Sequence, residues 1–122
     1  MELGLEGTTA IVTGGGSGLG AAICETLCQE RANVVMTYVV EETAVRDLAR
    51  RLAEQYRVRC LPLFGDISIA SDIERVIAQA EQELGAVDVL VNNAGVWPTA
   101  RITEMSDEEW ERTVRINLTG TF

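Results

Sequence analysis

The segment Thr13-Gly14-Gly15-Gly16-Ser17-Gly18-Leu19-Gly20 constrains the fold of this chain more than any other. It follows directly on a short apolar run, Ala10–Thr13, that fits a buried strand. It opens directly into residues 18–30, where Ala22, Ile23 and Leu27 share one helical face. A strand that turns at once into a helix needs residues that tolerate positive φ. A diphosphate approaching the N-terminus of such a helix needs bare backbone N–H groups and no Cβ in the way. Glycine meets both needs, and the strand-before, helix-after context is what gives the segment its weight. Two spacings fit: Gly14, Gly18 and Gly20 as Gly-x-x-x-Gly-x-Gly, and Gly16, Gly18 and Ala21 as Gly-x-Gly-x-x-Ala. Thr13 ahead of the first spacing favours it.

The rest of the chain repeats the same alternation. Asn33–Tyr38 reads as a second buried strand. Val45, Leu48, Ala49, Leu52 and Tyr56 then keep amphipathic helical spacing. Arg57–Phe64 is expected as a third strand, with Pro62 as a mild objection. Ile73, Val76, Ile77, Ala80 and Leu84 form the next helical stripe, ended by Gly85, with Ser68 or Ser71 as cap and Ser71/Glu74 matching a capping box. Val87–Val91 is a fourth apolar run, followed by Asn92-Asn93-Ala94-Gly95. Ser106-Asp107-Glu108-Glu109 is a second capping box, and it leads a stripe of Trp110, Val114, Leu118 and Phe122. Strand–helix alternation with apolar strands implies an α/β fold with a parallel sheet covered on both faces. Right-handed crossovers make it doubly wound. The expected architecture is a doubly wound parallel sheet, incomplete, of about four strands with flanking helices.

Composition excludes several chemistries. The chain has 122 residues, a formal net charge of −9 and no histidine. All ten basic residues are arginine, so lysine is absent too. Without imidazole there is no Ser-His-Asp or Cys-His arrangement. Without lysine there is no Walker-type phosphate loop and no Schiff base. Cys24, Cys28 and Cys60 lack metal-ligand spacing and read as buried thiols filling core gaps, with no metal expected. The acidic balance argues against nucleic acid and anionic membrane surfaces as partners. Arg46, Arg50, Arg51, Arg57 and Arg59 form a local basic run read as a solvated helix face. Met1–Gly7 has no basic n-region, and no apolar run approaches the length of a membrane span. The expectation is a reduced, cytoplasmic protein.

Thr13-Gly14-x-x-x-Gly18-x-Gly20 and Asn92-Asn93-Ala94-Gly95, with Asp66 after the third strand and Asn117 in Arg-Ile-Asn-Leu-Thr-Gly, together resemble the short-chain dehydrogenase/reductase family. The resemblance runs from Gly7 to Phe122 and is nearest the 3-oxoacyl-carrier-protein-reductase-like branch, which also contains sugar and polyol dehydrogenases. It implies a Rossmann-like fold, with residues 1–122 as the N-terminal part of one NAD(P)-binding domain. It further implies hydride transfer between a nicotinamide and a carbonyl or secondary alcohol. A small carbonyl or alcohol substrate and a homo-oligomeric parent would follow. The cofactor-binding residues it implies are Gly14, Gly16, Ser17, Gly18, Leu19, Gly20, Tyr38, Asp66, Ile67, Asn92, Ala94 and Gly95. Asp66 takes the position that holds the adenine amino group, and Asn117 that of the active-site asparagine. Asp66 also has a plainer reading as a capping residue near Ser68, and Asn117 as a local backbone hydrogen-bonder.

NADP is the favoured cofactor and NAD the alternative. An acidic residue about 20 positions past the glycines binds the ribose diol in NAD-specific folds. Thr37, Tyr38, Val39 and Val40 stand there instead and are uncharged. Against this, Ser17 stands where many NADP-using relatives carry a basic residue, and Glu41 or Glu42 reaching back would reverse the preference. Arg31 stands where relatives usually have glycine, and is costly if its φ is positive. The family's catalytic Ser, Tyr and Lys have no counterpart: the only tyrosines are Tyr38 and Tyr56, and no Tyr-x-x-x-Lys exists. The last helix lacks a stop signal and the fourth strand would lie bare at a sheet edge. The chain is therefore expected to be a portion of something longer, inactive alone. A non-catalytic nucleotide-binding module and a fragment that does not fold stably are the alternatives.

Overall fold

The computed structural model describes residues 2–122. Along the chain run β1 (Thr9–Val12), α1 (Gly18–Gln29), β2 (Asn33–Tyr38), α2 (Glu42–Tyr56), β3 (Cys60–Phe64), α3 (Ala70–Leu84), β4 (Val89–Val91) and α4 (Asp107–Val114). A π-helical segment, Arg115–Gly120, continues from α4. The four strands form one parallel sheet in the order β3-β2-β1-β4. This is the expected doubly wound α/β arrangement, with the chain leaving β1 to one side through β2 and β3 and returning to the other side at β4.

Alternation along the strands divides the apolar residues between two layers. Val12, Val34 and Met36 pack against Cys24 and Cys28 of α1 and Val45, Ala49 and Leu52 of α2. Ile11, Val35 and Leu63 face the other way, onto Val76 and Ala80 of α3. Met36 and Leu52 are the largest fully buried side chains. Truncating a residue of this kind to alanine costs about 2–5 kcal/mol.

β1 lies one residue earlier than expected and β4 starts at Val89 rather than Val87. Three further expectations fail, each for a local reason. β3 begins at Cys60 because Arg57 ends α2 in the left-handed conformation (φ 55°). Pro62 is tolerated there because β3 is an edge strand. α3 is capped by neither Ser68 nor Ser71: its N-cap is Ile69, which has no side-chain cap. Ser71 lies inside the helix, so the expected box with Glu74 does not form. Asp72 takes over the turn, accepting the Asp66 N–H at 2.9 Å. The Ser106/Glu109 box does form, with both reciprocal bonds. The stripe behind it does not bury: Trp110, Leu118 and Phe122 are exposed, and the switch to π-helix at Arg115 breaks the 3.6-residue period.

α1 ends in a Schellman motif. Arg31 N–H donates to the Cys28 carbonyl at 2.9 Å and Ala32 N–H to the Leu27 carbonyl at 3.1 Å. The motif requires a left-handed residue after the cap, and Arg31 supplies it at φ 65°. A side chain in that conformation costs about 1 kcal/mol relative to glycine. The exposed Arg31–Glu6 pair at 3.1 Å offsets little of this. Arg31→Gly is therefore expected to stabilise the chain by about 1 kcal/mol, read as a higher denaturant midpoint at unchanged slope.

Candidate functional site

The C-terminal ends of all four strands open onto one cleft of about 450 Å³. That volume is within the range of small-molecule and cofactor sites. The cleft lies where the order of the sheet reverses between β1 and β4, the usual ligand position in open α/β sheets. After β1 come Gly14 and Ser17–Gly20; after β2, Tyr38 and Val39; after β3, Asp66 and Ile67; after β4, Asn93–Trp97. Arg112 and Ile116 close the side toward the π-helical segment.

The floor of the cleft is held by a small hydrogen-bond network. Thr13 Oγ1 accepts the N–H groups of Asn93 and Ala94, each at 3.0 Å, and donates to the Val91 carbonyl at 3.4 Å. Asn93 Nδ2 donates back to the carbonyls of Thr13 (3.0 Å) and Gly14 (3.2 Å). Thr37 Oγ1 accepts the Gly14 N–H at 3.2 Å. Loops after β1, β2 and β4 are thus fixed to one another before any ligand arrives.

Glycine is required at two points of the loop for different reasons. At Gly20 an added Cβ would stand 2.1 Å from the Gly14 carbonyl oxygen, a clash with backbone. At Gly18 φ is +52° and an added Cβ would meet nothing within 4 Å, so that position faces open cleft. Ser17, the N-cap of α1, makes no side-chain cap, and the first turn carries no acidic residue. The first-turn N–H groups of α1 therefore have no side-chain acceptor.

At the rim, Tyr38 donates its phenolic O–H to Glu42 at 3.0 Å, and Arg46 Nε donates to the same carboxylate oxygen at 3.0 Å. The Arg46 hydrogen bond, then that of Tyr38, holds the Glu42 carboxyl below its ordinary value. Desolvation, then Glu42, pushes the Tyr38 phenol up. Asp66 Oδ1 accepts both the N–H and the hydroxyl of Ser68, at 2.8 and 2.6 Å. Asp66 does not cap α3, whose N-cap is Ile69; one of its oxygens organises the turn while the residue lines the cleft. Asn117 is exposed and does not line the cleft. Its Oδ1 accepts the Val96 N–H at 2.8 Å and its Nδ2 donates to the Val96 carbonyl at 2.5 Å.

The family model for short chain dehydrogenase matches residues 8–122. The chain belongs to that family. It is 38% identical over 121 residues to an uncharacterised oxidoreductase of Thermotoga maritima, covering 97% of this chain and 45% of that protein. It is 34% identical to the 2,3-dihydro-2,3-dihydroxybenzoate dehydrogenase of Bacillus subtilis, over 98% of this chain and 45% of the relative. Among solved structures it is similar to L-sorbose reductase from Gluconobacter frateurii complexed with NADPH and L-sorbose. The TM-score is 0.92 at 30% identity, over 99% of this chain and 46% of the reductase. The chain spans about half the length of the curated relatives it matches.

Of the residues singled out from the short-chain motifs, the cleft gathers Gly14, Ser17, Gly18, Leu19, Gly20, Tyr38, Asp66, Ile67, Ala94 and Gly95. Gly16 and Asn92 lie outside it. Gly16 packs under α2, where a Cβ would come within 2.3 Å of Val45. Asn92 lines an adjoining groove of about 210 Å³ together with Leu90 and Phe122. Its neighbour Asn93 enters the cleft network instead, as strand-like alternation past Val91 dictates. Thr13, Thr37 and Arg112 were also missed as site residues. No signal marks Arg112; the position of Thr13 at the strand-to-glycine junction marks it as a candidate. Among the described residues no group of His, Cys, Asp and Glu could hold a metal, and no helix is long and apolar enough to cross a membrane.

Replacing Thr13 by valine keeps the shape and strands the Asn93 and Ala94 N–H groups without their acceptor. Unpaired groups of this kind cost about 1–3 kcal/mol. Thr13→Val is expected to lower unfolding free energy by that amount in urea titration, while Thr13→Ser restores most of it.

Proposed function

We propose that this chain is the NAD(P)-binding portion of a short-chain oxidoreductase whose whole protein moves hydride between a nicotinamide and a carbonyl or secondary alcohol. The observation that carries the reading is the uncapped, acid-free N-terminus of α1, with Gly18 open to the cleft. The dinucleotide, when bound, supplies the hydride chemistry, and the protein supplies binding and orientation. The N–H groups of Gly18, Leu19 and Gly20 would take the diphosphate. Asp66 would accept from the adenine amino group through the oxygen that Ser68 leaves free, with Ile67 beside it. The backbone of Ala94 and Gly95 would run along the nicotinamide half. Asn117 acts as a positioning residue, its amide locking Val96, and with it the loop after β4, to the π-helical segment. π-helical turns of this kind recur at functional sites.

NADP is the favoured cofactor. Neither Glu41 nor Glu42 lines the cleft, and Glu42 is occupied by Tyr38 and Arg46. No carboxylate in the cleft lining at the end of β2 is then placed to bind a ribose diol or repel a 2′-phosphate. Hydride transfer itself needs a proton donor that this chain does not offer in the family's Tyr-x-x-x-Lys form. The chain alone is therefore expected to consume no NADPH with a carbonyl substrate, which absorbance at the reduced nicotinamide band checks.

Titration of the folded chain with NADPH and NADH, followed by nicotinamide fluorescence, tests the binding reading. NADPH is expected to bind about tenfold more tightly, a difference of about 1.4 kcal/mol. Gly18→Ala is expected to weaken both by at least about tenfold, because its Cβ enters the diphosphate position. Its thermal midpoint falls only by what a left-handed alanine costs. An unaltered affinity in Gly18→Ala overturns the assignment of the loop; an NADH preference overturns NADP alone.

A further inference from the structure

The thiols of Cys28 and Cys60 meet at 3.5 Å, far from the cleft. Cys28 lies at the C-terminal end of α1 and Cys60 is the first residue of β3, so the pair sits at the end of the sheet opposite the nucleotide site. All three cysteines are free thiols. The two partners differ in access: Cys28 is fully buried, whereas Cys60, on the edge strand, is partly exposed. Either sulfur can donate in this contact; the hydrogen bond between them lowers the Cys60 thiol from its ordinary value, while the same bond and burial raise Cys28. Cys24, one turn back on α1, lies beneath Gly15 and is pushed up to about 12 by burial, then by Cys60.

We propose that Cys28 and Cys60 form a thiol-disulfide exchange site: Cys60 is the attacking sulfur, Cys28 the resolving one, and a small external disulfide such as oxidised glutathione the oxidant. Closing the bridge requires the sulfurs to approach from 3.5 Å to about 2.05 Å. Cys60 gives up its proton and its thiolate attacks one sulfur of the external disulfide, cleaving that bond and releasing one glutathione thiolate. A mixed disulfide forms on Cys60. Cys28 then loses its proton and attacks the Cys60 sulfur, forming the internal bond and releasing the second glutathione thiolate. Two protein thiols are oxidised by two electrons, and one external disulfide is reduced to two thiols. The bridge ties the edge strand β3 to α1 across the layer that holds Leu52 and Met36. It closes a chain segment containing all of β2 and α2, which restricts the unfolded state. This site is independent of the nucleotide reading.

The reduced full chain is incubated with oxidised glutathione without denaturant and analysed by peptide mass mapping. Several arginines separate Cys28 from Cys60, so trypsin releases the two cysteines on different peptides; Cys24 shares the Cys28 peptide, and fragment ions cut between residues 24 and 28 assign the linkage. The expected product is a single linkage joining those peptides, at a whole-chain mass lower by two hydrogens. Its thermal midpoint should rise by several degrees and return on adding a thiol reductant. Cys28→Ala is expected to accumulate a stable glutathione adduct on Cys60, Cys60→Ser to take up none, and Cys24→Ser to close the bridge as the unaltered chain does. Retention of three free thiols, a lasting adduct on Cys60 in the unaltered chain, linkage through Cys24, or an unshifted midpoint overturns the proposal. Because the unaltered chain is itself measured, misfolding of a variant leaves the test intact.

Discussion

The Thr13 side chain joins the two halves of the cleft. Its hydroxyl uses all of its hydrogen-bonding capacity: two acceptances from the loop after β4 and one donation to the end of β4 itself. The Asn93 amide returns two donations to the Thr13 and Gly14 carbonyls. These contacts span some eighty positions of sequence, so they exist only once β1 and β4 are paired. The strand pairing is short, three residues of register from Ala10 to Val12. The polar clamp at its end therefore bears much of the task of keeping the glycine loop and the Asn93–Gly95 loop facing each other. A glycine-rich loop is entropically costly to hold in one shape. Here it is held at Gly14 from β2, through Thr37, and from β4, through Asn93.

This arrangement explains which parts of the molecule were legible beforehand. β2 and the two buried layers follow from apolar alternation and helical period, because burial on both faces leaves little choice of residue. The glycine loop was legible because its strand-before, helix-after context is local. Asn93 was not. The dipeptide Asn92-Asn93 presents the same side chain twice, and only the direction of the pleat at Val91 decides which enters the cleft. The Ser71 cap failed for a related reason. Its spacing matched a capping box, but Asp72 bonds to Asp66, a residue placed by the turn after β3, and this fixes where the helix begins. The apolar stripe that begins on α4 stays exposed because pattern reports which side chains are apolar, and not whether anything packs on them.

The left-handed residues show where the chain accepts strain. Arg31, Glu41 and Arg57 all have positive φ without being glycine, and all three sit at helix ends. Arg31 and Arg57 end α1 and α2, and Glu41 precedes α2. Each is in a connection of only a few residues between a helix and a strand. A short connection has few dihedrals with which to reverse direction, so the local cost is accepted where a longer loop would carry a larger ordering cost. The strands on either side then reach the same edge of the sheet, which is why four loops arrive at one cleft.

The charge pattern completes the argument. With a net charge of −9, carboxylates are abundant, and three of the four α-helices among the described residues use them at their own N-termini. α2 has Glu42 in its first turn, α3 has Asp72, and α4 has Asp107, Glu108 and Glu109. Each such residue offsets part of the positive end of the helix dipole. α1 alone has none, and Ser17 leaves its N–H groups uncapped. The same helix end faces the cleft beside Gly18, where no Cβ intervenes. An acidic chain repels an anion over most of its surface, so under the proposed function the diphosphate would be held at this one acid-free helix end. On that reading its place is set by the residues missing from the first turn of α1 as much as by those present.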